Sequence, residues 1–236
     1  METNQKSVID YSDIRYEARK NLKTNWTWAV LVSLLWTVIF GFGSFFLWLL
    51  KDSPVWRSSC YGVYEAFLVL TIGLFFAGKY SYHRHLYRKE ESHVMDVFSG
   101  FTMKNRFQLW LAGISIEAYL ILWTCLFVVP GIVKSYSYAL TEYLMLDDPT
   151  LTSQQAIHMS ENLMKGHKWQ LFVLDLTFLG WDILGLLSCG IGMLWVDAYH
   201  DQARYVFYRR IKESDYYMIP NAWQKKDAVS PFRVTR

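Results

Sequence analysis

Asp197, His200, Asp201 and Arg204 interrupt an otherwise apolar and aromatic stretch at a spacing of i, i+3, i+4 and i+7, which puts all four on one face of a helix. In the preceding apolar run, Trp169 to Leu187, Asp175 and Asp182 are the only ionisable residues, and their seven-residue separation also places them on one face. Carboxylates, an imidazole and a guanidinium in such surroundings can carry protons, hold an ion or bind a substrate, or they can simply pair across two helices. A charge at the centre of a membrane-spanning helix costs on the order of 2.5–3.5 kcal/mol, so such residues face a bundle interior and seek each other. Ser188, Cys189, Gly190 and Gly192 form a turn between the two runs. Counting outward from that turn at about 1.5 Å per residue sets Asp182 level with Asp197, and Asp175 level with Arg204. An Asp175–Arg204 pair is therefore expected.

The elements that position these residues must cross a bilayer. A hydrocarbon core of roughly 30 Å takes about 20 apolar residues of helix. With 53% hydrophobic and 18% aromatic residues and several long uncharged runs, the 236-residue chain reads as a multi-pass membrane protein with no sizeable soluble domain left over. The expected fold is all-α: a polytopic membrane helical bundle of about six transmembrane helices with three cytoplasmic amphipathic interfacial helices. The crossings fall at 26–50, 59–78, 107–130, 131–147, 169–188 and 190–211 of a single integral domain covering 1–236, with cytoplasmic tails 1–25 and 212–236. Residues 1–25 are polar and the first apolar run is too long for a signal peptide, so the N-terminus is expected to be retained. Trp26, Trp28 and Trp48 bracket the first crossing as an interfacial aromatic belt would.

Three amphipathic stretches precede hairpins. Residues 8–25 interleave Val8, Tyr11, Ala18 and Leu22 with Arg15, Arg19, Lys20 and Lys23; Val94, Val97, Phe98 and Phe101 mark a second; Ala156, Ile157, Leu163 and Met164 mark a third, opened by a Thr152-to-Gln155 capping box. The segments NLKTNWTWAVLV (21–32), FTMKNRFQLWLAG (101–113) and NLMKGHKWQLFVL (162–174) each join such a stretch to a crossing, which either a threefold pseudo-repeat or interfacial preference alone would produce. With six crossings and the N-terminus inside, every basic residue except Lys51, Arg57 and Lys134 lies on the cytoplasmic side or near its surface. Treating 131–147 as a surface helix instead would put the basic C-terminal tail outside, so the count argues for six.

Other polar residues carry weaker signals. Glu117 lies near the middle of the third crossing and is a candidate for a functional or paired carboxylate, whereas Glu65 lies near an outer end, where it would be solvated. Pro130 and Gly131 are expected to break the chain between two crossings, the second of which carries Lys134 and Glu142. His83, His85 and His93 with Glu90 and Glu91 contain zinc-ligand types, but the pattern suits a solvated basic loop better, and no metal site is expected. Cys60, Cys125 and Cys189 lack CxxC spacing; they read as small apolar residues, with a Cys60–Cys189 disulfide left open. Basic residues beside the crossings, Lys23, Lys104, Lys165 and Lys168, suit anionic lipid at the cytoplasmic face rather than nucleic acid.

The stretch VVPGIVKSYSYALTEYLMLDDP (128–149) and the stretch AIHMSENLMKGHKWQLFVLDLTFLGWDILGLLSCGIGMLWV (156–196) resemble the uncharacterised bacterial membrane family catalogued as domain of unknown function 975. DVFSGF (96–101) and ARKNLKTNW (18–26) extend the resemblance toward the N-terminus. It implies a bacterial plasma membrane location and brings no activity, cofactor or catalytic residue. Where such a chain would carry Pro-Tyr in its last helix, this one has Ala198-Tyr199, which implies a straighter helix.

No GxSxG, HExxH, Walker or dinucleotide motif occurs in a workable context, so neither an enzyme nor a cofactor is expected. A membrane-organising or accessory protein of the cell envelope is the leading expectation. A small-solute, ion or proton-coupled transporter using Asp175, Asp182, Asp197, His200 and Glu117 is the alternative. A homo-oligomer or an envelope protein partner is compatible with either.

Overall fold

The computed structural model describes residues 10–49, 54–188 and 190–216, and these residues are helical almost throughout. In order, the helices are α1 (Tyr11–Leu22), α2 (Trp26–Leu49), α3 (Pro54–Arg88), α4 (Ser99–Thr102), α5 (Arg106–Leu126), α6 (Val128–Tyr138), α7 (Thr141–Asp147), α8 (Ser153–Leu163), α9 (Lys168–Leu176), α10 (Leu179–Leu187) and α11 (Met193–Tyr216), with a 3₁₀ turn at Val94–Phe98 before α4. A short helical segment followed by a pair of longer helical arms occurs three times: α1 before α2 and α3, the 3₁₀ turn and α4 before α5 and α6–α7, and α8 before α9–α10 and α11. The pattern matches the three junction segments read from the sequence. Among the described residues, α5 and the α9–α10 arm are long and apolar enough to cross a membrane, and the α1–α2 pair joins them if its 98° bend is counted within one span.

Element boundaries depart from expectation where local chemistry decides them. Pro54 opens α3 rather than sitting in a turn, because a proline in the first helical turn gives up an N–H that has no partner there anyway. α3 then runs on through Lys79 to Arg88, ten residues beyond the expected end of the second crossing. The break before the fourth arm falls at Phe127, which is extended at φ −160°, so Pro130 lies in the first turn of α6. Gly131 makes no turn either. It lets α6 fold back on α5, since a Cβ there would meet Thr124 Oγ1 at 2.4 Å. The chain does turn at Gly166, whose φ of +84° favours glycine, between α8 and α9.

The amphipathic segments dock on protein rather than on lipid alone. α1 buries Ile14, Ala18 and Leu22 against the bundle, Tyr199 of α11 donates its hydroxyl proton to the Arg15 carbonyl, and Arg210 pairs with Glu17 at 2.9 Å. α8 buries Ala156, Ile157 and Ser160, and the Ser160 hydroxyl bridges α6 and α7 by donating to the Ser137 carbonyl and accepting from the Leu140 amide. The second segment is a 3₁₀ turn with one turn of α4, not a continuous amphipathic helix. Its pressure against α3 explains the change, because two glycines bring backbone onto backbone there.

A Cβ at Gly78 would stand 1.8 Å from the Val97 carbonyl oxygen, and one at Gly100 would stand 2.0 Å from that of Leu74. α3 and α5 cross less tightly but still in backbone contact at Gly73 and Gly113, whose Cβ positions would fall 2.8 Å from Leu109 O and 2.7 Å from Gly73 Cα respectively. Gly78→Ala is therefore expected to cost about 1–3 kcal/mol through forced backbone displacement. Gly180→Ala in α10, where nothing lies within 4 Å, should be neutral or stabilising by about 1 kcal/mol. Thermal unfolding of the detergent-purified chain checks both, and equal melting temperatures for the two variants would refute the close crossing.

Candidate functional site

The expected ion pair forms. Arg204 of α11 donates through Nε to Asp175 Oδ1 at 3.0 Å and through a terminal nitrogen to Asp175 Oδ2 at 2.5 Å, a two-pronged bond from α11 to α9. His200, one turn earlier on α11, lies with Nε2 2.8 Å from the same Oδ1, and Tyr136 of α6 donates its hydroxyl to Oδ2 at 3.2 Å. The Phe178 ring stacks on the His200 imidazole at 4.6 Å between centroids. Asp175 thus collects an arginine, a histidine and a tyrosine from two other helices.

The remaining members of the α11 stripe face elsewhere. Successive helical residues turn by about 100°, so Asp197 and Asp201 lie to one side of the face that His200 and Arg204 share. Asp201 meets Lys79 of α3 at 2.6 Å, and the Lys79 ammonium also lies 4.8 Å from the centre of the Trp36 ring on α2. The structure therefore splits the single stripe between two neighbours. Asp182 and Asp197 are partly buried and form no salt bridge among the described residues. Glu117 is partly buried on α5, away from the Asp175 cluster. Lys23, Lys104 and Lys165 are exposed and Lys168 is half-exposed, all four close to the start of an apolar arm. The Cys60–Cys189 pairing, the Glu65 side chain and the tail beyond Tyr216 lie outside the described residues, and Cys125 is an exposed free thiol.

Below these pairs, Asp147 closes the end of α7. Its Oδ2 accepts from Lys212 Nζ at 2.6 Å and from the Tyr208 hydroxyl at 2.7 Å, while Arg84 donates to the Leu146 carbonyl at 2.6 Å. The three loop histidines separate. His85 turns to Asp96 at 3.1 Å and His93 precedes the 3₁₀ turn. His83, carried inward by the extension of α3, is fully buried with Nδ1 2.9 Å from Gln202 Oε1 of α11.

Sequence reasoning missed Lys79, His83, Gln202 and Tyr136 as members of this polar seam. Periodicity assigns a residue to a face of its own helix but does not say which helix stands opposite. Lys79 follows directly on an apolar run, a position that could have suggested an intrahelical continuation rather than a loop.

Two outcomes follow. Asp175→Leu alone should cost about 1–3 kcal/mol, because it leaves the partly buried Arg204 guanidinium without its partner, whereas Asp175→Leu with Arg204→Met should recover most of that loss. A double-mutant cycle on thermal unfolding measures the coupling, and additive losses would exclude it. Burial holds the His83 imidazole below its ordinary value; Asp201 and Gln202 oppose that shift and Lys79 adds to it. The unfolded chain then binds the proton first, so this contribution to stability is intact above about pH 6.5 and declines as pH falls below it. His83→Gln should flatten the decline in melting temperature between pH 7 and 5, and an unchanged slope would assign it to other groups.

No curated protein and no solved structure matches this chain. The segments at 18–26 and 96–101 lie outside the region that a family model covers. Residues 125–215, which carry Asp175, His200 and Arg204, match the family described as Protein of unknown function (DUF975), the one that the sequence resembles.

Proposed function

We propose that this chain is a multi-pass protein of the bacterial plasma membrane that crosses six times with both termini in the cytoplasm. In this reading it acts without catalysis, as a membrane-organising or accessory protein of the envelope that engages anionic lipid headgroups through its basic rim. The observation that carries the reading is the distribution of polarity. Large apolar side chains stay exposed at the tips of two hairpins, where Phe127 is 69% exposed and Val129 70% between α5 and α6, and Leu187 is 75% exposed at the end of α10. Apolar surface of that extent suits lipid contact. The charges of Asp175, Arg204, Lys79 and Asp201 are spent on one another in two pairs, which leaves these four residues poorly suited to carry a solute.

Meanwhile Arg19, Lys20, Lys23, Lys104 and Lys165 are exposed beside the starts of the arms, where each can contribute about 1 kcal/mol toward an anionic leaflet. Docking of α1 and α8 on the bundle fixes the backbone that carries Arg19, Lys20, Lys23 and Lys165, so these basic residues form part of a rim rather than of helices free to insert. A homo-oligomer or a second envelope protein would be held on the same face.

The test is lipid selectivity in reconstituted vesicles containing phosphatidylglycerol and phosphatidylcholine. Replacing Lys23, Lys104 and Lys165 together by Ala should remove most of the enrichment of phosphatidylglycerol around the protein, about fivefold for each residue, without lowering the melting temperature. Retained enrichment in the triple variant would defeat the rim assignment.

A further inference from the structure

A cavity of about 160 Å³ lies between α3, α5 and the junction of α6 with α7, lined by Phe76, Tyr80, Glu117, Ser135, Tyr138 and Glu142 among others. It is separate from the Asp175 cluster. Glu142 is only 9% exposed, faces this cavity, and has no hydrogen-bond or ion-pair partner among the described residues. Glu117 enters the same space from α5 and likewise has no cationic partner among them; its charge and that of Glu142 act on each other. The nearby cations are committed elsewhere. Lys134, whose ammonium lies 5.6 Å from the centre of the Tyr138 ring, bonds Glu161 at 2.6 Å, and Arg204 bonds Asp175.

Two carboxyls facing one half-open, largely aromatic cleft raise the cost of each other's ionisation, and a counter-charge relieves it. The rest of the wall indicates which counter-charge fits. Phe76, Tyr80 and Tyr138 line the wall, and the Lys134 ammonium already lies 5.6 Å from the centre of the Tyr138 ring, so this lining suits a diffuse, weakly hydrated cation, while a hard divalent ion demands a shell of oxygens. The volume is about five times that of a liquid water molecule, room for several heavy atoms rather than for a bare ion. The helix is also interrupted at this level, with α6 ending at Tyr138 and α7 starting at Thr141, as at binding sites in other membrane bundles.

We propose that the Glu117–Glu142 cavity binds a small organic ammonium cation in exchange for a proton. The cation enters as one protonated carboxyl releases its proton to solvent; the carboxylate left behind neutralises the ligand, and the aromatic walls hold its alkyl groups. No bond to the ligand forms or breaks. The lipid-binding rim is not involved, so the two readings stand or fall separately.

The experiment is calorimetric titration of the full-length protein in lipid nanodiscs with tetramethylammonium chloride at pH 7, repeated in two buffers of different ionisation heat. Saturable binding with up to one proton released, weakened by roughly tenfold or more in both Glu142→Gln and Glu117→Gln, is the expected result. Both changes are isosteric and leave a neutral side chain in place of a carboxyl, so they should fold, and melting temperatures check this. Tyr138→Leu serves as a third variant and should weaken binding while leaving proton release intact. Absence of saturable binding, binding unchanged in the glutamine variants, or displacement of tetramethylammonium by equimolar sodium or magnesium would overturn the assignment.

Discussion

Charge inside an apolar bundle is penalised unless opposite charge meets it, and in this chain such pairings concentrate on α11. Ion pairs leave this one helix for four different neighbours, among them Arg210 to Glu17 on α1, Asp201 to Lys79 on α3, Arg204 to Asp175 on α9, and Lys212 to Asp147 on α7. Because each partner lies at a different height and azimuth, the set fixes the rotation of α11 and the register of everything packed on it. A helix of purely apolar residues could slide or turn by one ridge at little cost. One bearing these four contacts cannot, since any shift strands several charges in surroundings that penalise them.

The order of burial follows from the same constraint. Tyr205, Phe207 and Tyr208 fill the space between the pairs, and Tyr143 stacks on Tyr208 at 5.1 Å and packs against Tyr80 at 4.0 Å. Tyrosines suit this layer because each brings a large apolar ring with a hydroxyl that can reach a carboxylate or carbonyl, as Tyr208 reaches Asp147 and Tyr136 reaches Asp175. The outward side is the reverse of a water-soluble surface, with leucines, valines and phenylalanines at the hairpin tips.

Much of this was readable in the sequence. The helical class, the paired arms, the capping box at Thr152 and the partnership of Asp175 with Arg204 follow from period, turn residues and counting from a hairpin, all of which are local quantities. What could not be read is what stands across from a given face. The apolar side of α1 looks the same in sequence whether lipid or α11 covers it, and it is α11 that does. Glu142 looked like one polar interruption in a short crossing, and only the fold of α6–α7 against α5 sets it opposite Glu117. Pro130 marked a break correctly to within a turn, but proline tolerates the start of a helix as readily as it ends one.

The unbroken length of α3 has a mechanical meaning. Its 35 residues make a rod of about 52 Å, longer than a hydrocarbon core is thick, so one continuous helix joins its first residue, Pro54, to the layer holding His83, Arg84 and Arg88. Near its middle, at Gly73 and Gly78, it touches α5 and the 3₁₀ turn backbone to backbone, with no side chains to cushion the contact. A rod pinned at midlength is a lever. A tilt imposed at the Pro54 end would reappear, reversed in direction, as displacement at the His83–Gln202 contact, with the glycine crossings as its fulcrum.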